Sequence, residues 1–312
     1  MKKTASFLFF ICITISIFAQ KNKVKPVDIS FQKYLNARDF TVSKNQKEAY
    51  FSLQSLDEKQ AIIVKAIQKN GKWKKVEMVD FSGNFRDIEP FLSPDNLRLY
   101  FASDRPILKN ETKAKDFDIW YVERKSIKDA WSEPKNIGKP INTKFNEFYP
   151  SVSLNHNLYY TSDSLNKTKK DEIFLSKWNG ENYENPVSVS ENINTKGYEF
   201  NAFIAPDESF LMYTIYKAPE GIGSGDLFIS FKSKNGEFQK PIHLKSIVNS
   251  DRMDYCPFYD FETQTLYFTS KRNEVVSKKV KNVEEFQENV GKYENGLSRI
   301  YKVKIDLKEF DK

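Results

Sequence analysis

Disulfide chemistry is the first thing this 312-residue sequence lacks. Its two cysteines are Cys12, inside an apolar leader, and Cys256. A lone Cys256 in the rest of the chain closes no internal disulfide, so the fold must rest on its core. The residue reads as a small buried apolar group rather than a nucleophile. Histidine is equally scarce, with only His156 and His243, and neither suggests a triad or a zinc site. There is no Gly-x-Ser-x-Gly elbow and no phosphate loop. The DFD run at 116–118 is too short for a calcium signal. Neither a cofactor nor a metal is therefore expected. After the first twenty residues no apolar run approaches the ~20 residues of a membrane helix. Basic stripes are absent too. The net charge is +7 and the pI about 9.0, but the lysines are scattered, which reads as a solvated surface and not a nucleic-acid footprint.

What is present begins with MKKTASFLFFICITISIFAQ. Two lysines precede an apolar run from Phe7 to Phe18, ending at Ala19-Gln20. This pattern predicts a secretory signal peptide over residues 1–19, cleaved after Ala19. Cys12 lacks the preceding small residue that lipoprotein processing wants. The expectation is an exported chain, periplasmic or secreted, without an integral membrane segment. Hydrophobic residues make up 39% and aromatics 15%, including 26 Phe and 16 Tyr. That is enough for a sizeable core, and the aromatic bias favours strands.

The chain repeats itself. EPFLSPDNLRLYFASDR at 89–105 is echoed by PFYDFETQTLYFTSKR at 257–272. Aligned on Pro90, the matching positions are Pro150, Ala202 and Pro257. An acid stands three residues before each: Asp87, Glu147, Glu199 and Asp254. A turn follows (SPDN, SLNH, APDE, DFET), then an aromatic strand, a variable loop and a third strand. Pro134, Pro186 and Pro241 mark a fourth element, each 16 residues before the next anchor. Asn142, Asn194 and Asn249 fall five residues before the next acid and read as turn-formers. A weaker copy starts near Phe40, with Ala37 at the acid position and Asp39 close by but out of register.

Four short strands per unit of 50–60 residues predict an all-β fold, a five-bladed β-propeller of four-stranded antiparallel blades. The repeats run over about 37–83, 84–143, 144–195, 196–250 and 251–306, in one domain covering 20–312. The last blade lacks a fourth strand. Pro26 stands 14 residues before Phe40, as Val76 does before Pro90. Residues 26–31 are therefore expected to complete that blade and close the ring. A sixth blade would need a unit that the sequence does not contain. Within the 28-residue stretch 271–298, apolar positions 283, 286 and 290 predict a short helix at VEEFQENV.

These features resemble the WD40-like repeat of exported bacterial propellers, the TolB-like type. The acid-x-x-Pro anchor, SPD at 93–95, APD at 205–207, LYFASDR and the aromatic third strand carry the likeness. It covers about residues 26–306. The usual glycine after SPD is replaced by Asn96 and Glu208. Relatives of this type often carry a helical hydrolase, a peptidoglycan-binding domain or a helical repeat domain; none has room beside the repeats here, so a propeller standing alone is expected.

Propeller geometry puts strand-one starts and strand-two ends on one face, here called upper. Asp87, Glu147, Glu199 and Asp254 are expected to ring the mouth there, with Asp104, Arg105, Asp163, Lys271 and Arg272 beside them. The acids read either as pins of the fold or as ligand contacts. Glu199 has the flexible GIGSG run at 221–225 nearby, which would let a ligand approach the backbone. The functional expectation is a monomeric binding module for a protein, a peptide or a cell-envelope glycan, acting through its upper face. The alternative is a glycoside hydrolase or lyase that uses carboxylates at the mouth. A sialidase is excluded by the missing S-x-D-x-G-x-T-W box.

Overall fold

The computed structural model describes residues 23–108, 110–163 and 170–311, so the expected signal peptide lies outside the described residues. The described chain forms five four-stranded antiparallel sheets. Blade one is Asn36–Val42, Glu48–Gln54, Ala61–Lys69 and Lys72–Met78. Blade two is Asp87–Leu92, Arg98–Ser103, Asp118–Glu123 and Lys135–Asn136. Blade three is Glu147–Val152, Leu158–Ser162, Glu172–Ser176 and Val187–Ser188. Blade four is Glu199–Ile204, Phe210–Tyr216, Gly225–Phe231 and Ile242–His243. Blade five joins Asp254–Asp260, Thr265–Ser270 and Arg299–Lys304 to the N-terminal Lys25–Pro26.

Ring closure occurs as expected, but in a shifted register. Lys25 and Pro26 face Lys302 and Tyr301, and the Val27 N–H adds a bond to the Ile300 carbonyl at 3.0 Å. Residues Ile29–Lys33 are then a 3₁₀ turn instead of strand. The cause is local: Asp28 caps the turn by accepting from Ser30 N at 2.9 Å, and the turn drops Phe31 against Phe51 with ring centroids 4.9 Å apart. In blades two to four the outer strand has two residues and directly follows Pro134, Pro186 or Pro241. A proline has no ladder donor, so these edges stay short and closed to further pairing.

The repeated asparagines do more than turn the chain. Asn142, on one side-chain amide, accepts from Ile119 N and donates to Ile119 O, both at 2.9 Å. Asn194 does the same to Ile173, and Asn249 to Leu227. The same carbonyls also accept a backbone N–H, from Ile137, Val189 and Leu244, so each asparagine fastens its turn to the end of the third-strand ladder.

The expected helix forms at Val283–Val290, capped by Asn282 accepting from Glu285 N at 2.8 Å. Its apolar face is not the face that docks. Val283 and Phe286 are exposed, while Asn289 is buried and donates to Val276 O at 2.7 Å.

Candidate functional site

The repeated acids are buried completely. Each accepts from a hydroxyl of the turn before it. Glu147 takes Thr143 Oγ1 at 2.6 Å and Thr143 N at 3.1 Å. Glu199 takes Thr195 Oγ1 at 2.5 Å. Asp254 takes Ser250 Oγ at 2.7 Å and Ser250 N at 2.6 Å, and Asp87 takes Ser82 Oγ at 2.7 Å. Two kinds of pin can be distinguished. In blades two and five the acid is Asp, and an arginine reaches it: Arg105 to Asp87 at 2.5 Å, Arg272 to Asp254 at 3.4 Å. Those guanidinium groups lie 5.1 Å from the rings of Phe101 and Phe268. In blades three and four the same strand-two position is Tyr160 or Tyr213, and the acid is the longer Glu. Burial pushes the Glu147 carboxyl up to about 8, against the pull of its Thr143 bonds. Glu199 is raised for the same reason. Asp87 and Asp254 are also raised, because burial outweighs their arginines.

The strand-two ends hold the residue before each acid. Asp104 accepts from Arg86 N at 2.9 Å and Arg86 Nε at 2.7 Å. Asp163 accepts from Asn146 N at 3.2 Å and Asn146 Nδ2 at 2.6 Å. The GIGSG loop folds onto its own blade, with Ile222 N and Gly223 N donating to Asp226 at 3.2 and 3.0 Å. A Cβ on Gly223 would stand 1.9 Å from the Arg252 carbonyl, so this glycine serves close packing on blade five.

The side chains that reach the axis stand two residues further along. Every first strand carries a β-bulge at the same place. There the backbone turns left-handed at Asp39, Glu89, Tyr149, Asn201 and Cys256, with φ between 45° and 63°. The next residue is Pro90, Pro150 or Pro257 in three blades, which explains the anchor: proline gives up a donor that the bulge leaves without a ladder partner. The bulged N–H groups are met across the blade boundary. Asp39 N donates to Thr269 Oγ1, Glu89 N to Ser52 Oγ and Asn201 N to Thr161 Oγ1, at 3.0–3.1 Å. In blade two the matching residue is Ala102, which has no hydroxyl. Glu89 fills the gap, accepting from Tyr149 N at 2.8 Å.

The five side chains differ, and they meet. Arg38 donates to Asp39 Oδ1 at 2.7 Å and to Glu89 Oε1 at 2.8 Å. Asn201 Nδ2 donates to Glu89 Oε1 at 3.4 Å, and Asn201 Oδ1 accepts from Cys256 Sγ at 3.4 Å. Tyr149 Oη donates to Pro257 O at 3.0 Å. Glu89 therefore joins groups from blades one, three and four. Burial pushes its carboxyl up to about 7 in spite of Arg38. The same burial raises the Cys256 thiol well above its usual range, which leaves it an inert buried group.

Above this cluster lies a recess of about 350 Å³. Its walls are the residues just before the bulges: Arg38, Ile88, Phe148, Phe200 and Tyr255. Glu89 and Asn201 form its floor, and Arg86, Phe117, Asp171 and Lys271 stand at the rim. Of the residues singled out from sequence, Lys271 lines the recess; Asp87, Glu147, Glu199 and Asp254 lie behind its walls. Below the cluster, Phe91, Phe203 and Phe258 pack on one another across the axis with centroids 5.3–6.3 Å apart. The sequence does carry a signal for the bulge ring. Asp39, which looked out of register with the acids, is in register with Glu89, Tyr149, Asn201 and Cys256.

No protein-family model matches the chain, and no curated protein sequence matches it. Solved structures do. A TolB from Agrobacterium tumefaciens matches at 10% identity and TM-score 0.48, over 75% of this chain and 69% of its own. A glycoside hydrolase matches at 10% identity and TM-score 0.56, over 86% of both chains. The α-L-arabinofuranosidase PaAbf62A from Podospora anserina, solved with cellotriose, matches at 10% identity and TM-score 0.54, over 89% of this chain and 94% of its own. At such identities the likeness is one of fold, and the chain is a five-bladed β-propeller that shares this fold with the glycoside hydrolase and the α-L-arabinofuranosidase.

Proposed function

We propose that the chain is an exported binding module whose upper mouth takes a sugar unit of a cell-envelope glycan. One observation carries the reading. Five equivalent positions deliver five different side chains to the axis, beneath a wall of two half-buried phenylalanines, a tyrosine, an isoleucine and an arginine. A feature that only builds the blade repeats the same residue, as the buried acids do. Phe148 and Phe200 offer faces to the C–H side of a sugar ring, and Glu89, Asn201 and Arg38 offer acceptors and donors to its hydroxyls. The recess divides its lining between aromatic or aliphatic walls and polar groups at floor and rim, which suits a sugar ring with an apolar C–H face and a polar hydroxyl edge. In this reading the anchor acids hold the turns that shape the mouth. Export rests on the leader sequence, and the chain acts as a monomer.

A glycan array set beside a peptide library and envelope-protein fractions tests the proposal. Binding to glycans that is lost in Phe148→Ala and Phe200→Ala supports it. Binding confined to peptides or proteins would replace the ligand class.

The hydrolase alternative rests on Glu89, whose carboxyl near 7 suits a general acid and faces the recess. Its second carboxylate would be Asp171 or Glu58 at the rim, since Asp39 is buried against Arg38. Turnover on a chromogenic glycoside panel that disappears in Glu89→Gln would establish it.

A further inference from the structure

The propeller has a second recess, at the opposite mouth. It shares no lining residue with the first, and the packed rings of Phe91, Phe203 and Phe258 form its floor. Its volume is about 350 Å³. The rim is built from the hairpin turns between strands one and two, at the position seven residues after each anchor acid or its equivalent. In blade order those residues are Lys44, Pro94, Leu154, Pro206 and Phe261. Pro94 and Pro206 are ordinary turn residues, but Leu154 and Phe261 are large apolar side chains left 60% and 44% exposed at the rim.

The rim is also tied together. Leu154 N donates to Pro206 O at 2.8 Å, joining blades three and four. Lys44 N donates to Asn96 Oδ1 at 3.0 Å, joining blades one and two. Gln46 Nε2 donates to Asp260 Oδ2 at 2.9 Å, joining blades one and five. A tied rim keeps the apolar concavity open in the absence of a ligand. Among the described residues that line this recess, Asp207, Asp260 and Glu262 stand against one cation, Lys44, which lies 3.4 Å from Glu262; Asp260 is buried and already accepts from Gln46, Thr263 and Glu262 N, and Asp207 is exposed.

We infer that the lower mouth is a second ligand site, for a small aromatic amine. The phenylalanine floor takes the ring, and the exposed Asp207 carboxylate, which no cation of the lining pairs, takes the ammonium group. The volume stands at the lower end of ligand pockets, ~300–1,000 Å³, and holds one ring-sized group, too little for a helix or strand of a partner. An apolar cation fits both the lining and the charge. An apolar anion of the same size fits only the lining.

The test is a ligand-observed NMR titration of the whole chain with 2-phenylethylamine, 2-phenylethanol and 3-phenylpropionate. The amine is expected to bind with a dissociation constant on the order of 1 mM. The alcohol should bind about fivefold more weakly and the acid more weakly still, with the preference shrinking as salt rises. Leu154→Arg places a long cation on an exposed rim position and should weaken the amine about tenfold or more with the melting temperature unchanged. Lys44→Ala, also at an exposed position, should tighten amine binding. No amine binding, equal binding of all three probes, or an affinity unaffected by both variants would overturn the inference. If Leu154→Arg does not fold, Lys44→Ala decides alone.

Discussion

Glu147 has a hydroxyl and a backbone N–H for partners and no arginine, and its carboxyl stands near 8. An unfolded Glu titrates near 4.3. Between those values the folded chain keeps a proton that the unfolded chain has released. Stability from this group is therefore full at acid pH and falls as pH rises from about 4.3 to 8, by up to ~1.4 kcal/mol per unit. Glu147→Gln should flatten that slope, which urea unfolding at a series of pH values will show. In acid, where neither state ionises this group, the amide should cost about 0.5–1.5 kcal/mol, and that cost should shrink or reverse by pH 6, where only the unfolded wild type gains the charge. Asp87 behaves otherwise, being paired with Arg105 in a fully buried place. Arg105→Ala leaves a buried carboxylate with only the hydroxyls of Ser82 and Ser103 for partners and should cost about 3–5 kcal/mol. Comparable losses in the two variants would contradict the division into two kinds of pin. This division is legible in the repeat alignment itself. Asp goes with Phe in strand two and a following Arg, and Glu goes with Tyr.

At the scale of elements, the N-terminal strand closes the ring with two residues and one further backbone bond, and Phe31 anchors it. Deleting residues 23–33 uncovers the Arg299–Lys304 edge and empties the Phe31 site. Lower melting temperature and aggregation during light-scattering melts are expected; an unchanged melting curve would count against the closure. The matched spacings Pro26 to Phe40 and Val76 to Pro90 located the start of this strand to within one residue, but not its end, which falls at Pro26 instead of residue 31. They could not give the register, because Asp28 capping a 3₁₀ turn competes with strand over the same residues. The helix at Val283–Val290 shows the converse limit. Its periodicity was readable, but the docking side was set by Asn289 and its bonds to Val276, a contact between parts of one loop that periodicity does not encode. The bulges were hidden for a related reason. Left-handed φ at Asp39, Glu89, Tyr149, Asn201 and Cys256 leaves no glycine behind to mark it. Only the proline that follows in three blades points to an interrupted ladder.

For the whole molecule, blade number and the assignment of faces were readable because equal spacings recur around a closed ring. The candidate site was not, since its residues are the ones in which the repeats disagree. The account's central claim is a division of labour along each first strand: acids that hold the turns, and wall and axis residues, one and two places later, that meet a ligand. It is tested most directly by one paired measurement, the melting temperature and glycan affinity of Phe200→Ala beside those of Glu199→Gln, adjacent residues on one strand. The account predicts that Phe200→Ala, from a half-buried wall position, loses binding about tenfold or more while still melting as a cooperative fold. It predicts that Glu199→Gln lowers the melting temperature and retains the affinity. Lost affinity with unchanged melting in Glu199→Gln, or full affinity in Phe200→Ala, would contradict it.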